Sequence, residues 1–102
     1  MRNNPLDIFV KEAPDVQKAY SKVIEALSNL NGLDTKTKHL IYIAMKVITD
    51  DKLAIKYHVP MAKSAGATRQ EIRDSVLLSI SVCGLKGISQ ILPMALEEYD
   101  NK

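Results

Sequence analysis

The chain has 102 residues, of which 46% are hydrophobic and 25% charged, and its formal net charge is +2. This size and balance are typical of a globular domain and exclude the disordered and collagen-like classes. The basic residues are few and spread along the chain, which does not indicate nucleic-acid binding. A single cysteine, Cys83, excludes an intramolecular disulfide framework and a thiolate zinc cluster. We therefore expect one domain over residues 1–102.

The sequence carries no sign of a membrane or export segment. No apolar run approaches the roughly 18 residues that a membrane span requires. Residues 1–5, Met-Arg-Asn-Asn-Pro, lead into no signal-peptide core. We expect a cytoplasmic protein that binds neither membrane nor nucleic acid.

Apolar residues recur at helical spacing, and this pattern predicts an all-α fold of six short helices. The first helix is predicted around residues 5–11. Pro14 starts a second, which carries an apolar stripe and ends at Asn31-Gly32. Asp34 or Thr35 caps a third. Its apolar residues cover more than one face, which predicts a central position.

Capping residues and glycines divide the second half of the chain. Asp50-Asp51 caps a fourth helix, which contains Pro60 and stops at Gly66. The segment 68–71, Thr-Arg-Gln-Glu, is a capping box and starts the fifth helix. Gly84 and Gly87 mark a break before the last helix, which continues despite Pro93.

Several of these helices have apolar residues on more than one face. A monomer of this size cannot cover that much hydrophobic surface, so we expect a homo-oligomer.

The fourth helix carries the first candidate for chemistry. Asp51, Ala54 and His58 are spaced three and four residues apart and therefore share one face. An imidazole against an apolar helical wall is a candidate general acid or base near neutral pH. The alternative for His58 is a core or interface histidine bonded to a carbonyl, which is the commoner role of a single histidine.

Four segments follow one another between Leu33 and Pro93: the helix start at 33–38, Tyr-His-Val at 57–59, the linker 63–68 with its Glu-Ile continuation, and the small-residue break near Gly84. Together they resemble the core repeat of the carboxymuconolactone decarboxylase superfamily, which includes the alkylhydroperoxidase D proteins. The resemblance covers about three-fifths of the chain. It implies the six-helix alkylhydroperoxidase D-like fold and assembly as a trimer or hexamer.

The peroxidase branch of this superfamily has a glutamate on the third helix and Cys-x-x-Cys-x-x-x-His at the fourth. His39, Asp51, Ala54 and His58 occupy those places here, so only the last matches. The peroxidase reaction needs one thiolate to attack and a second thiol to resolve the sulfenic acid. Cys83 has no partner thiol, and its place on an apolar stripe predicts a buried, inert cysteine.

The decarboxylases of the superfamily also lack the cysteine pair and keep the histidine. Their reaction needs a proton donor to the carbon that loses carbon dioxide, and the resemblance assigns this role to His58. His39 stands in the place of the glutamate, so both imidazoles could face one pocket. The alternative for His39 is an exposed residue in a basic first turn. Asp51 is the third catalytic candidate, although helix capping alone explains it.

We expect neither metal nor cofactor. Asp51 and His58 are roughly 10 Å apart along the helix axis at 1.5 Å per residue, so one ion could hardly bridge them. Lys52, Lys56 and Lys63 recur at helical spacing and could attract an anionic substrate. A solvated face is the usual meaning of such spacing, and we favour it.

Three functions are compatible with the sequence. The first is a cofactor-free lyase or isomerase that uses His58 as general acid or base on a small carboxylated substrate. The second is an antioxidant-response protein without its own thiol pair, which the peroxidase relatives imply. The third is a non-catalytic oligomeric protein.

Overall fold

A computed structural model describes residues 5–101, and all regular secondary structure in that range is α-helical. The all-α prediction is confirmed, whereas the prediction for residues 1–4 lies outside the described residues. In chain order the helices are α1 (Pro5–Glu12), α2 (Pro14–Ser28), α3 (Thr35–Ile48), α4 (Lys52–Ser64), α5 (Arg69–Leu77), α6 (Ile80–Cys83), α7 (Lys86–Gln90) and α8 (Leu92–Asp100).

The six predicted helical regions are present, and the last two are each divided. The predicted fifth helix breaks after Leu77 into α5 and α6. Pro93 lies in the first turn of α8 rather than inside a longer helix, because proline has no N–H to donate and is accommodated there. At the other end of the chain, α2 ends at Ser28, before the predicted stop at Asn31-Gly32.

Side-chain caps start three helices where the sequence predicts them. Asp34 and Asp51 each accept a hydrogen bond from a first-turn backbone N–H, at 2.7 and 3.1 Å. The capping box of α5 is complete, since the Glu71 N–H donates to Thr68 Oγ1 and the Thr68 N–H donates to Glu71 Oε1. Gly66 ends the α4 turn at a φ of +102°, which favours glycine.

The chain divides into two compact units, one ending at Gly32 and the other beginning at Leu33. The first contains α1 and α2, which pack as a hairpin. The rings of Phe9 and Tyr20 lie 6.0 Å apart between them. No residue of α2 is buried.

The second unit holds the hydrophobic core. Helices α3 and α4 are joined by a tight connection in which Asp50 has a φ of 57°, and they pack side by side with α5 and α8 across them. The buried apolar residues are Ile43, Val47, Ile55, Val59, Ala62, Ala67, Ile72, Val76, Ile91 and Ala95.

None of the described helices has both the length and the apolar character needed to cross a membrane.

Candidate functional site: a histidine pair between α3 and α4

The packing of α3 on α4 brings two imidazoles into direct contact. His39 Nδ1 lies 3.3 Å from His58 Nδ1, and the ring centroids are 5.5 Å apart. Both side chains are half-buried. The partner that the structure gives His58 is therefore another imidazole rather than the carbonyl of the sequence-based alternative, and His39 is not an exposed first-turn residue.

Tyr42 completes an aromatic cluster with this pair. Its ring centroid is 5.2 Å from that of His58 and 6.0 Å from that of His39. The sequence analysis did not select Tyr42. Its position three residues after His39 on α3 places it on the same helix side, which is the signal that would have found it.

The third candidate, Asp51, lies at the start of α4. Its Oδ1 accepts the Ala54 N–H at 3.1 Å, and its Oδ2 lies 3.6 Å from Nζ of Lys46 near the end of α3. Capping therefore accounts for the position of Asp51, as the alternative interpretation predicted. Lys46 was not selected from the sequence, although it is seven residues after His39 and so lies on the same side of α3.

The surroundings lower the pKa of both histidines. Burial is the main cause for His58, and the nearby His39 and Lys46 add to it, while Asp51 opposes it. For His39 the main cause is again burial, followed by the charge of Lys38. Both imidazoles are therefore neutral near pH 7. In that state each has one nitrogen that can accept a proton and one that can donate a hydrogen bond.

One side of the pair opens into a groove of about 450 Å³ between α3 and α4. Of the two histidines, His39 is the one that lines it. The other residues of its wall are Thr35, Pro60, Met61, Ser64 and Ala65. This wall is mainly apolar, with hydroxyl groups at two points.

The remaining predicted residues have mostly structural contacts. Lys63 donates to the carbonyl oxygen of Tyr99 at 2.7 Å and lies 4.6 Å from its ring centroid, so this lysine binds α8 instead of only facing solvent. Lys52 pairs with Asp50 at 3.3 Å, and Lys56 is exposed.

Cys83 is half-buried, less enclosed than predicted. Its Sγ lies 3.4 Å from the carbonyl oxygen of Ser79, which accepts the thiol hydrogen.

Among residues 5–101, no three His, Cys, Asp or Glu side chains are arranged to hold a metal ion. That neither metal nor cofactor is needed stays a prediction.

The fold and the site together define the class of protein. It is an all-helical protein in which two imidazoles are in contact beside an open groove. The sequence model of the carboxymuconolactone decarboxylase family matches residues 14–97. The chain belongs to this family.

A solved structure is similar to nearly the whole chain. It is the crystal structure of a protein from Burkholderia xenovorans LB400 that carries the provisional name of carboxymuconolactone decarboxylase. The two share 25% sequence identity at a TM-score of 0.88, over 96% of this chain and 77% of the other. No curated protein matches the chain.

Proposed function

We propose that this protein is a cofactor-free enzyme, a lyase or isomerase, that uses His58 together with His39 for general acid–base chemistry on a small carboxylated substrate. The contact of 3.3 Å between the two Nδ1 atoms, at the side of an open groove, is the observation that carries the proposal. Two neutral imidazoles in contact can move protons in both directions near pH 7.

Three further features support this chemistry. The lowered pKa of each histidine keeps a free lone pair available at neutral pH. The half-exposed Lys46 places a positive charge close enough to affect His58, and an anionic substrate or a developing enolate would be attracted to it. The similar protein from Burkholderia is named for a decarboxylase, which suggests carboxylated lactones as the first compounds to test.

Solvent-exchange NMR tests the proposal directly. A panel of small carboxylated lactones is incubated with the protein in deuterated water, and loss of carbon dioxide, double-bond migration and deuterium at carbon are followed. We expect at least one compound to react, and His58→Gln and His39→Gln to slow the reaction at least 100-fold, since positioned general acids and bases contribute about 100-fold or more.

Lys56→Gln is the matched control, because Lys56 is an exposed residue of the same helix as His58. It should react at the wild-type rate. A panel in which no compound reacts or exchanges would count against the proposal. Turnover that both glutamine variants retain would exclude the histidines from the chemistry.

The antioxidant alternative has less support. The positions of the family's thiol pair hold Asp51 and Ala54, and Cys83 is the one cysteine of the sequence. No contact among the described residues favours peroxidase chemistry over acid–base chemistry.

We also propose that the protein is a cytoplasmic homo-oligomer, a trimer or a hexamer. Ile41, Met45 and Ile48 lie at successive turns on the side of α3 away from the core, and they are 41%, 47% and 38% exposed. Burying such a stripe against a second copy would remove apolar surface from water.

The oligomer is tested by light scattering after size-exclusion chromatography. Met45→Glu should reduce the mass of the assembly, because it places a charge within the apolar stripe. Gln70→Glu makes the same change of charge at an exposed position of α5 and should leave the mass unaltered. A wild-type protein that elutes as a monomer would contradict the proposal.

A further inference from the structure

The contact between His39 and His58 also determines which nitrogen of each ring carries a proton. Two nitrogen lone pairs facing each other at 3.3 Å would repel, so the contact is stable when one proton lies between them. The Nδ1–H of one ring then donates to the Nδ1 of the other. Each neutral imidazole carries a single N–H. The donor ring therefore has a bare Nε2, and the acceptor ring has an Nε2–H.

The two rings differ in their access to the groove. His39 lines it beside Pro60 and Met61, whereas His58 is not part of its wall and has its ring against those of His39 and Tyr42. A substrate in the groove therefore contacts His39 directly, and His58 is linked to it through the Nδ1 contact with His39.

Resting on the proposed function, we infer that His39 and His58 act as one proton-sharing pair, in which His39 exchanges the proton with the substrate and His58 stores the charge. His39 is then the catalytic residue of the pair, and His58 is a positioning residue that acts through the shared Nδ1 proton. The class of substrate is a small carboxylate that becomes an enolate during the reaction.

An isomerisation balances in three steps. The Nε2 lone pair of His39 takes a proton from a substrate carbon, and the electron pair of the C–H bond stays on the substrate as an enolate. The Nδ1 proton of His39 passes to Nδ1 of His58, which becomes the imidazolium. As Nε2–H of His39 protonates the enolate at a second carbon, the Nδ1 proton returns from the His58 imidazolium to Nδ1 of His39, and both rings are neutral again. In a decarboxylation the neutral pair first takes a proton from water, which leaves hydroxide. The C–C bond then breaks, carbon dioxide leaves, and its electron pair stays on the substrate as an enolate that Nε2–H of His39 protonates at carbon, which returns the pair to its neutral state.

The charged groups around the pair suit a transient imidazolium at His58. From α4, the negative charge of Asp51 stabilises it, while Lys46 and His39 of α3 oppose it. Lys38 acts on His39 from its own helix. The helices that pack across this layer carry further carboxylates, which are Glu71 and Asp74 on α5 and Glu97, Glu98 and Asp100 on α8. Glu71 of α5 pairs with Lys36 at 3.1 Å, and Asp100 of α8 with Arg69 at 2.9 Å.

The tautomers can be observed without any substrate, so the pair is tested separately from the proposed function. Nitrogen-15 NMR of the imidazoles at about pH 8, where histidine is neutral, should show one ring protonated at Nδ1 and the other at Nε2. In His39→Phe and His58→Phe the remaining ring should be protonated at Nε2 alone. Lys56→Gln, at an exposed position of α4, is the control and should leave both tautomers as in the wild type.

A pH titration of the two histidines distinguishes a shared proton from a purely structural contact, which would not change the number of protonation steps. The wild-type pair should protonate in two separate steps, because a second positive charge 3.3 Å from the first is strongly disfavoured. Each phenylalanine variant should titrate in one step. Circular dichroism checks that the variants fold. If they do not, the nitrogen-15 spectrum of the wild type alone still tests whether the two rings have different tautomers.

Two results would overturn the inference. One is a wild type in which both rings are protonated at Nε2, since no proton is then shared. The other is stoichiometric binding of added Zn²⁺ that shifts both Nδ1 signals, since the nitrogens would then converge on an ion. If the pair shares a proton as described but no carboxylated compound exchanges deuterium, the proposed function fails while the paired state of the histidines stands.

Discussion

Nζ of Lys46 lies 3.6 Å from Oδ2 of Asp51, so an ion pair joins the end of α3 to the start of α4 beside His58. The two charges act on that histidine in opposite directions. The lysine lowers the pKa of His58, and the carboxylate raises it. The ion pair therefore adjusts the pKa of His58, which burial mainly lowers, as well as connecting the two helices.

Removing either charge should move the pKa of His58 in a known direction. Lys46→Met should raise it, because a cation no longer opposes the imidazolium. Asp51→Asn should lower it further, and asparagine still caps α4, so the helix start is preserved. Histidine NMR titration measures both. Shifts of the same sign in the two variants would contradict the electrostatic account, and Lys56→Met should leave the pKa unaltered.

A second prediction concerns the close approach of Gly87 to α3. A Cβ at this position would lie 2.5 Å from Cγ1 of the buried Val47 and 3.0 Å from Oγ of Ser79. Gly87→Ala should therefore reduce the free energy of unfolding by about 1–3 kcal/mol, the usual cost of overpacking. Urea unfolding monitored by circular dichroism measures the change.

Gly32 is the matched control for Gly87. A Cβ there would have no heavy atom within 4 Å and its φ lies outside the left-handed range, so Gly32→Ala should be neutral or slightly stabilising. A Gly87→Ala protein as stable as the wild type would mean that Val47 moves aside without cost.

The parts of the fold that the sequence predicted best depend on short-range chemistry. The caps at Asp34, Asp51 and Thr68 each bond a backbone N–H three residues ahead, and such contacts form within one turn whatever surrounds it. The division of the fifth helix after Leu77 was missed because the break has no glycine or proline to mark it.

The site was harder to predict, because its central contact joins residues 19 positions apart. Helical spacing places His39 on one side of α3 and His58 on one side of α4, but the relative rotation of the helices decides whether those sides meet. The buried residues Ile43 and Val59 hold that rotation through the core. Resemblance to the family supplied the expectation that the two imidazoles could share a pocket, which spacing within one helix could not give.

A third prediction addresses the capping box of α5. Thr68→Ala removes the Oγ1 that accepts the Glu71 N–H at 3.1 Å and should cost about 1 kcal/mol of unfolding free energy. Thr68→Ser retains the hydroxyl and should cost clearly less. Equal losses in the two variants would show that the methyl group, rather than the cap, matters at this position. Thermal and urea unfolding provide the comparison.

The last prediction is that stability falls with acidification through the histidine range. Both imidazoles have a pKa below the ordinary 6.5 when folded. Between the folded and unfolded pKa values the unfolded chain binds more protons, so the free energy of unfolding rises with pH there. The stability that the two neutral histidines contribute is fully present above about pH 6.5, and it is lost as the pH falls through their pKa values in the folded state.

Urea unfolding of the wild type at closely spaced pH values below about 7.5 should show this loss, and the double variant His39→Gln/His58→Gln should lack it. The carboxylates of Asp34, Glu71 and Asp100 also have lowered pKa values in the folded state, but their ordinary values are 3.8 to 4.5, so they destabilise the fold at a lower pH. A double variant with the same slope as the wild type above about pH 5 would assign the effect to groups other than the histidine pair.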